Sequence, residues 1–203
     1  MEVKPITRNQ CAPFILEIHY AKRWPSISYA YGLFDESELV GVVTYGNPAS
    51  RHLQVGCCKS SPESVIELNR LCLRHNRKNE ASRLISGSLK LLPPLIVVSY
   101  ADTAHGHSGG VYRAANFHYA GWTDMERKTA RLDYIAGSGR HSRDAFRNGD
   151  GAKSKTVRRK PKAKYWTVTG DKRDRKKLSN LMSWPSISWK DYPVPNEHVQ
   201  CKI

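Results

Sequence analysis

From Tyr100 to Gly110 the chain reads Tyr-Ala-Asp-Thr-Ala-His-Gly-His-Ser-Gly-Gly, so a phenol, the Asp102 carboxylate and the imidazoles of His105 and His107 share one stretch of small residues. A carboxylate set among small residues can take a proton from an amine or bind a metal, and Asp124, further along the chain, is a second acid that could do the same. His19 and Tyr20 add an adjacent nitrogen and phenolic oxygen. Tyr oxygen, His nitrogen and an Asp together suit iron better than structural zinc. The chain has no Cys-x-x-Cys or His-Glu-x-x-His spacing, which argues against a zinc finger or a zinc hydrolase.

The second chemical signal is charge. Residues 127–177 hold 18 Lys/Arg against 5 Asp/Glu, whereas residues 1–126 hold 13 against 11. Lys153–Lys164 alone carries seven basic residues and no acid, among them Arg158, Arg159, Lys160 and Lys162. Such a segment fits phosphates, giving salt-sensitive affinity without reading sequence. The expected organisation is a body over residues 1–135 and a basic extension over 136–203 that meets nucleic acid. The longest apolar run, Leu91–Val98, is too short to cross a bilayer, and the N-terminal residues lack a signal-peptide pattern. The expected location is therefore the cytoplasm, with no membrane partner and five reduced cysteines.

Elements must bring these residues together. Cys11, Phe14, Ile15 and Ile18 recur on one helical face, predicting a helix over Thr7–Tyr20. Ser28–Phe34 and Leu39–Tyr45, joined by Asp35-Glu36-Ser37, predict a hairpin. After an irregular stretch from Pro48 to Pro62, Val65–Leu73 predicts a strand, and Ala81–Leu92 a helix stopped by Pro93-Pro94. Leu95–Ser99 predicts a buried strand, Val111–Phe117 a helix and Tyr165–Val168 another strand. This order implies an α/β (α+β) domain, a mixed sheet flanked by helices, with the loop after residue 99 at a strand end where ligands usually bind.

Val97–Asp102, glycines 106, 109 and 110, Val111–Phe117 and Tyr119–Trp122 resemble the strand-helix-strand C-terminal half of the GNAT acyltransferase fold. More narrowly, His19-Tyr20, Arg23–Ser26, Ser50–Gln54, Glu67–Leu71, Ser99–Ala104, Asn116–Asp124 and Arg158–Lys162 resemble the Mom family of bacteriophage DNA-modification proteins, over most of residues 14–195. The resemblance implies conversion of adenine in double-stranded DNA to N6-carbamoylmethyladenine, which shields phage DNA from host restriction. It also implies iron over His19, Tyr20 and Asp124.

On that resemblance, Tyr112 takes the place of the GNAT general acid, its phenol suited to donating a proton late in a transfer. Asp124, Asp102, Ser99 and Tyr45 complete the expected catalytic set. A duplex adenine must be flipped out to react. Tyr29, Tyr31, Tyr45, Tyr100 and Trp122 offer stacking faces, and Asn69 or Asn116 an amide for the purine edge, with Arg70, Lys153 and Lys164 on the backbone. The GNAT pyrophosphate loop corresponds to Arg74–Arg83, with Arg74, Arg77, Lys78 and Ser82 as cofactor contacts. That stretch has no glycine, which argues against acyl-CoA and leaves another phosphorylated donor open. Two other classes stay open: a non-catalytic nucleic-acid-binding protein on a degenerate acyltransferase scaffold, and a protein N-acetyltransferase.

Overall fold

The computed structural model describes residues 1–102, 106–123, 132–136, 154–158 and 161–191. Its first elements are strand β1 (Glu2–Pro5) and helix α1 (Arg8–Ala12), which runs on as a π-helical stretch over Pro13–Ile18. Thr7 starts the helix with a capping box, its hydroxyl accepting from the Gln10 N–H while Gln10 accepts from the Thr7 N–H. The expected face is buried at Cys11, Phe14 and Ile15, but Ile18 is exposed where the helix ends.

The hairpin forms as β2 (Tyr29–Asp35) and β3 (Glu38–Gly46), and the next strand as β4 (Val65–Leu73). Between them lies a helix where an irregular stretch was expected, α2 (Arg51–Cys57), which buries Gln54 and Cys57. Helix α3 (Glu80–Leu91), strand β5 (Ile96–Asp102), the short helix α4 (Gly110–Ala114) and strand β6 (His118–Trp122) follow. Strands β7 (Leu132–Ala136) and β8 (Ser154–Arg158) form a separate antiparallel pair. Strand β9 (Lys162–Val168) and helix α5 (Lys172–Leu181) complete the described elements.

The main sheet has seven strands in the order β1-β2-β3-β4-β5-β9-β6, antiparallel except for the parallel β4–β5 pair. Residues 162–168, expected in the basic extension, thus form an inner strand of the body's sheet. Their alternation explains the placement: Ala163 and Tyr165 are fully buried, while Lys162 and Lys164 take the intervening positions. The same period sorts the core onto two faces. Ile66, Leu68, Val97 and Tyr165 pack under α3 and α4, whereas Val65, Ile96, Val98 and Trp166 pack with Cys57 of α2 and Leu178 of α5.

The two Trp-Pro-Ser-Ile-Ser segments, Trp24–Ser28 and Trp184–Ser188, each donate one backbone N–H to a strand carbonyl, from different positions of the echo. Ser28 N–H donates to the Tyr45 carbonyl at 2.7 Å, and Ile187 N–H to the Tyr119 carbonyl at 2.8 Å. No helix among the described residues is long and apolar enough to cross a membrane.

Candidate active site

Parallel pairing of β4 with β5 runs only from Val65–Ile96 to Glu67–Val98. Beyond it the strands part, and the gap opens into a cleft of about 710 Å³. Its wall comprises Glu67–Leu73 of β4, Tyr100 and Asp102 of β5, Gly106–Tyr112 of the following loop and α4, Lys162 of β9, and His19 and Tyr20 after the π-helical stretch. A cleft of this size accommodates a small-molecule ligand. Gly106 and Gly109 take φ of 73° and 78°, a left-handed backbone that lets the loop turn back into the cleft.

Tyr112 sits at the floor. Ser99 Oγ lies 2.8 Å from its hydroxyl and 3.1 Å from the Leu68 carbonyl, bridging the parted strands. Burial pushes the Tyr112 phenol up to about 12, with the Ser99 hydrogen bond opposing. The group therefore stays protonated through the physiological range. Asp102 Oδ2 meets Lys162 Nζ at 2.6 Å across the β5–β9 ladder, where the two residues are direct partners.

Glu67 was not among the sequence candidates, and it is the carboxylate at the point where the strands part. Burial raises its carboxyl above the usual glutamate range, and the Arg70 and Lys162 charges partly offset this. Arg70 is held by the Asn69 carbonyl at 2.6 Å and the Arg23 carbonyl at 3.3 Å, while its buried Nε has no hydrogen-bond partner among the described residues. Asn69 is committed at both ends, accepting from Thr44 Oγ1 at 2.7 Å and donating to the Ser26 carbonyl at 2.7 Å. Its amide is anchored for structure at the cleft rim.

Other candidates lie elsewhere. Tyr45 is fully buried in the core, bonded to Ser88 Oγ at 2.6 Å, so it does not reach the cleft. Tyr31 is also buried, and of the five aromatic candidates Tyr100 alone lines the cleft. Asn116, exposed just after α4 with a left-handed φ of 58°, does not line the cleft. Arg77 pairs with Asp35 at 3.3 Å and Arg74 faces Glu38 at 3.6 Å, both on the hairpin. Lys78 is exposed, and Ser82 Oγ donates to the Asn79 carbonyl at 3.2 Å. At the start of α3 the buried Glu80 side chain accepts from the Arg77 N–H at 2.8 Å. Lys164 Nζ sits 5.1 Å over the Trp184 ring, and Trp184 meets Tyr100 edge-on at 6.3 Å. Asp124, His105, Lys153, Arg159 and Lys160 lie outside the described residues, and Arg158 is in β8.

His19 Nδ1 accepts from the Ala21 N–H at 3.0 Å, and its ring stacks on Tyr20 at 4.3 Å. Among the described residues no three His, Cys, Asp or Glu side chains gather closely enough to hold a metal ion. Asp124, the third member of the implied iron set, lies outside the described residues, and no step below uses a metal.

A model of the Mom protein family matches residues 1–175. The chain is 38% identical over 113 residues to methylcarbamoylase mom of Escherichia phage Mu, a stretch covering 51% of this chain and 46% of that protein. The chain thus spans just under half the length of that relative. Among solved structures it is similar to a GNAT-family acetyltransferase from Bacillus cereus, with a TM-score of 0.47 and 12% identity over 84% of this chain and 98% of that one. It is also similar to the aminoglycoside 6'-N-acetyltransferase from Enterococcus faecium, with a TM-score of 0.45 and 10% identity over 85% and 99% of the two chains.

Proposed function

Because this chain belongs to the Mom protein family, we propose that it is a phage DNA-modification transferase that places a carbamoylmethyl group on N6 of adenine in double-stranded DNA, protecting that DNA from host restriction. The observation that carries the reading is the cleft between β4 and β5, where a carboxylate, a protonated phenol and cations line one cavity. An adenine flipped out of the duplex enters it and stacks on Tyr100.

The N6 lone pair is delocalised into the ring, so holding N6 in line with the donor carbon supplies most of the acceleration. N6 attacks the donor methylene, the bond from that carbon to the leaving group breaks, and the N6 proton passes to the Glu67 carboxylate. Tyr112 then gives its proton to the leaving group. Lys162, set by Asp102, presents positive charge to the nearby phosphate or to the departing group.

This role for Glu67 has an opposite effect on stability. With its carboxyl raised by burial, the folded state favours the protonated form, so that contribution is complete below the ordinary glutamate range and is lost as pH rises through the folded value. Glu67→Gln is therefore expected to unfold at higher denaturant at pH 7 than the parent, with the gain vanishing in acid, while DNA modification is lost. Full modification by that variant would remove Glu67 from the mechanism.

The direct test is expression with plasmid DNA, digestion to nucleosides and mass analysis of deoxyadenosine. A gain of one carbamoylmethyl group in place of a hydrogen is expected. Unmodified adenine beside tight, salt-sensitive DNA binding would instead identify a non-catalytic binding protein.

A further inference from the structure

We infer that helix α5, together with the start of α2, is the surface on which duplex DNA docks, and that it feeds the strand toward the cleft. This deepens the function proposed above by assigning its partner a surface. Lys172, Arg173, Arg175, Lys176 and Lys177 are all exposed on α5. Arg175 Nε is turned to the Asp171 carbonyl at 3.3 Å, and among the described residues the other four have no carboxylate partner. Their spacing works against the helix itself. Lys172 faces Lys176 and Arg173 faces Lys177 across one turn, a like-charge arrangement that weakens a helix. Lys172 and Arg173 also stand in the first turn, at the positive end of the helix dipole. The Asp171 and Asp174 capping box holds that end together, with Asp171 Oδ1 accepting from the Asp174 N–H at 2.8 Å.

Helix α5 is anchored beside α2. Leu178 is buried with Cys57 and Cys58, and the Ser183 N–H donates to the Cys57 carbonyl at 2.7 Å. On α2, which packs beside α5, Arg51 and His52 are exposed, as is Lys59 just after it. Chain continuity carries this surface to the site. Three residues past α5, Trp184 holds Lys164 over its ring and meets Tyr100 of the cleft wall. A closely spaced set of cations leading to a purine-sized cleft is complementary to the regular phosphates of a duplex.

The test is the affinity of the full chain for a duplex oligonucleotide, read by fluorescence anisotropy over a salt series. Each lost phosphate contact lowers the slope of log affinity against log salt by about 0.9, so the K172A/R173A/K176A/K177A variant should lose about 3 to 4 units of slope. The milder K176Q/K177Q variant should lose about half of that. Lys90→Ala, at an exposed position at the end of α3, should keep the parent slope. An unchanged slope in both α5 variants, or an equal loss in Lys90→Ala, overturns the inference. So does loss of binding to anionic vesicles or single-stranded RNA with duplex binding intact. The salt slope is independent of catalysis, so a parent protein that binds with the expected slope yet leaves adenine unmodified refutes the proposed reaction and not the docking surface.

Discussion

Tyr112→Phe is expected to slow adenine modification by about 10²- to 10⁴-fold, the range for loss of a positioned proton donor. The substitution keeps the ring that stacks on Tyr165 at 4.7 Å and packs edge-on against Phe117 at 5.3 Å, so the floor of the cleft keeps its shape. It removes the hydroxyl bonded to Ser99, which costs about 1 kcal/mol of stability, too little to unfold a domain. A structural tyrosine and an acid are separated by the pH profile. The parent should gain activity as Glu67 ionises and hold it until the phenol titrates near 12, whereas Tyr112→Phe should be slow at every pH. Ser99→Ala leaves the phenol in place but frees its orientation, so a smaller loss with the alkaline limb displaced is expected. Single-turnover rates by nucleoside mass analysis decide this, and a full-rate Tyr112→Phe variant removes the acid from the mechanism.

Tyr165→Ala should cost about 3 to 5 kcal/mol of folding stability, the range for truncating a large aromatic in a packed core. Tyr165 is fully buried and stacks between Tyr112 and Trp189, with ring centroids 4.7 and 5.6 Å away. It lies on β9, between β5 and β6, so the cavity would sit in the middle of the sheet and directly beneath the catalytic floor. Equilibrium urea unfolding measures it. A loss below about 1 kcal/mol would mean that residues 162–168 are not the inner strand described.

Much of this architecture was legible in the sequence, because β2, β3, β4 and α3 repeat with clear periods. Resemblance to the Mom family was legible too, since it rests on long matching stretches and the family model covers residues 1–175. Helix α2 was hidden: Gly56 inside it and prolines on both sides read as irregular chain, while its burial rests on Gln54, whose amide donates to the Val65 carbonyl at 2.9 Å. The inner position of β9 was hidden by charge. Lys162 and Lys164 dominate the composition there, and the alternating Ala163 and Tyr165 carry the packing signal only once β5 and β6 flank them.

The candidate site divides in the same manner. Asp102, Tyr100, Arg70, Asn69 and Tyr112 do converge on one cleft, although they come from different elements. Tyr45 was misplaced because an aromatic in a strand has two faces to choose from, and this one turns under α3 to Ser88. Glu67 opens one of the stretches that resemble the Mom family, yet it was given no site role because it reads as one acid in the run Val65-Ile66-Glu67-Leu68. An acid and a base three residues apart, Glu67 and Arg70, in a strand otherwise rich in Leu, Ile and Val were the available signal, since burying them costs free energy that stability alone does not explain.

The late arrival of β9 has a consequence during synthesis. When the growing polypeptide has emerged from the ribosome only as far as Trp122, β6 has no neighbour to bond with, because its partner is some forty residues from being made. Until then β5 also presents an open edge of unsatisfied amides and carbonyls, the kind of edge that invites pairing between nascent copies. Closure must await a strand whose contacts span long loops, which slows folding.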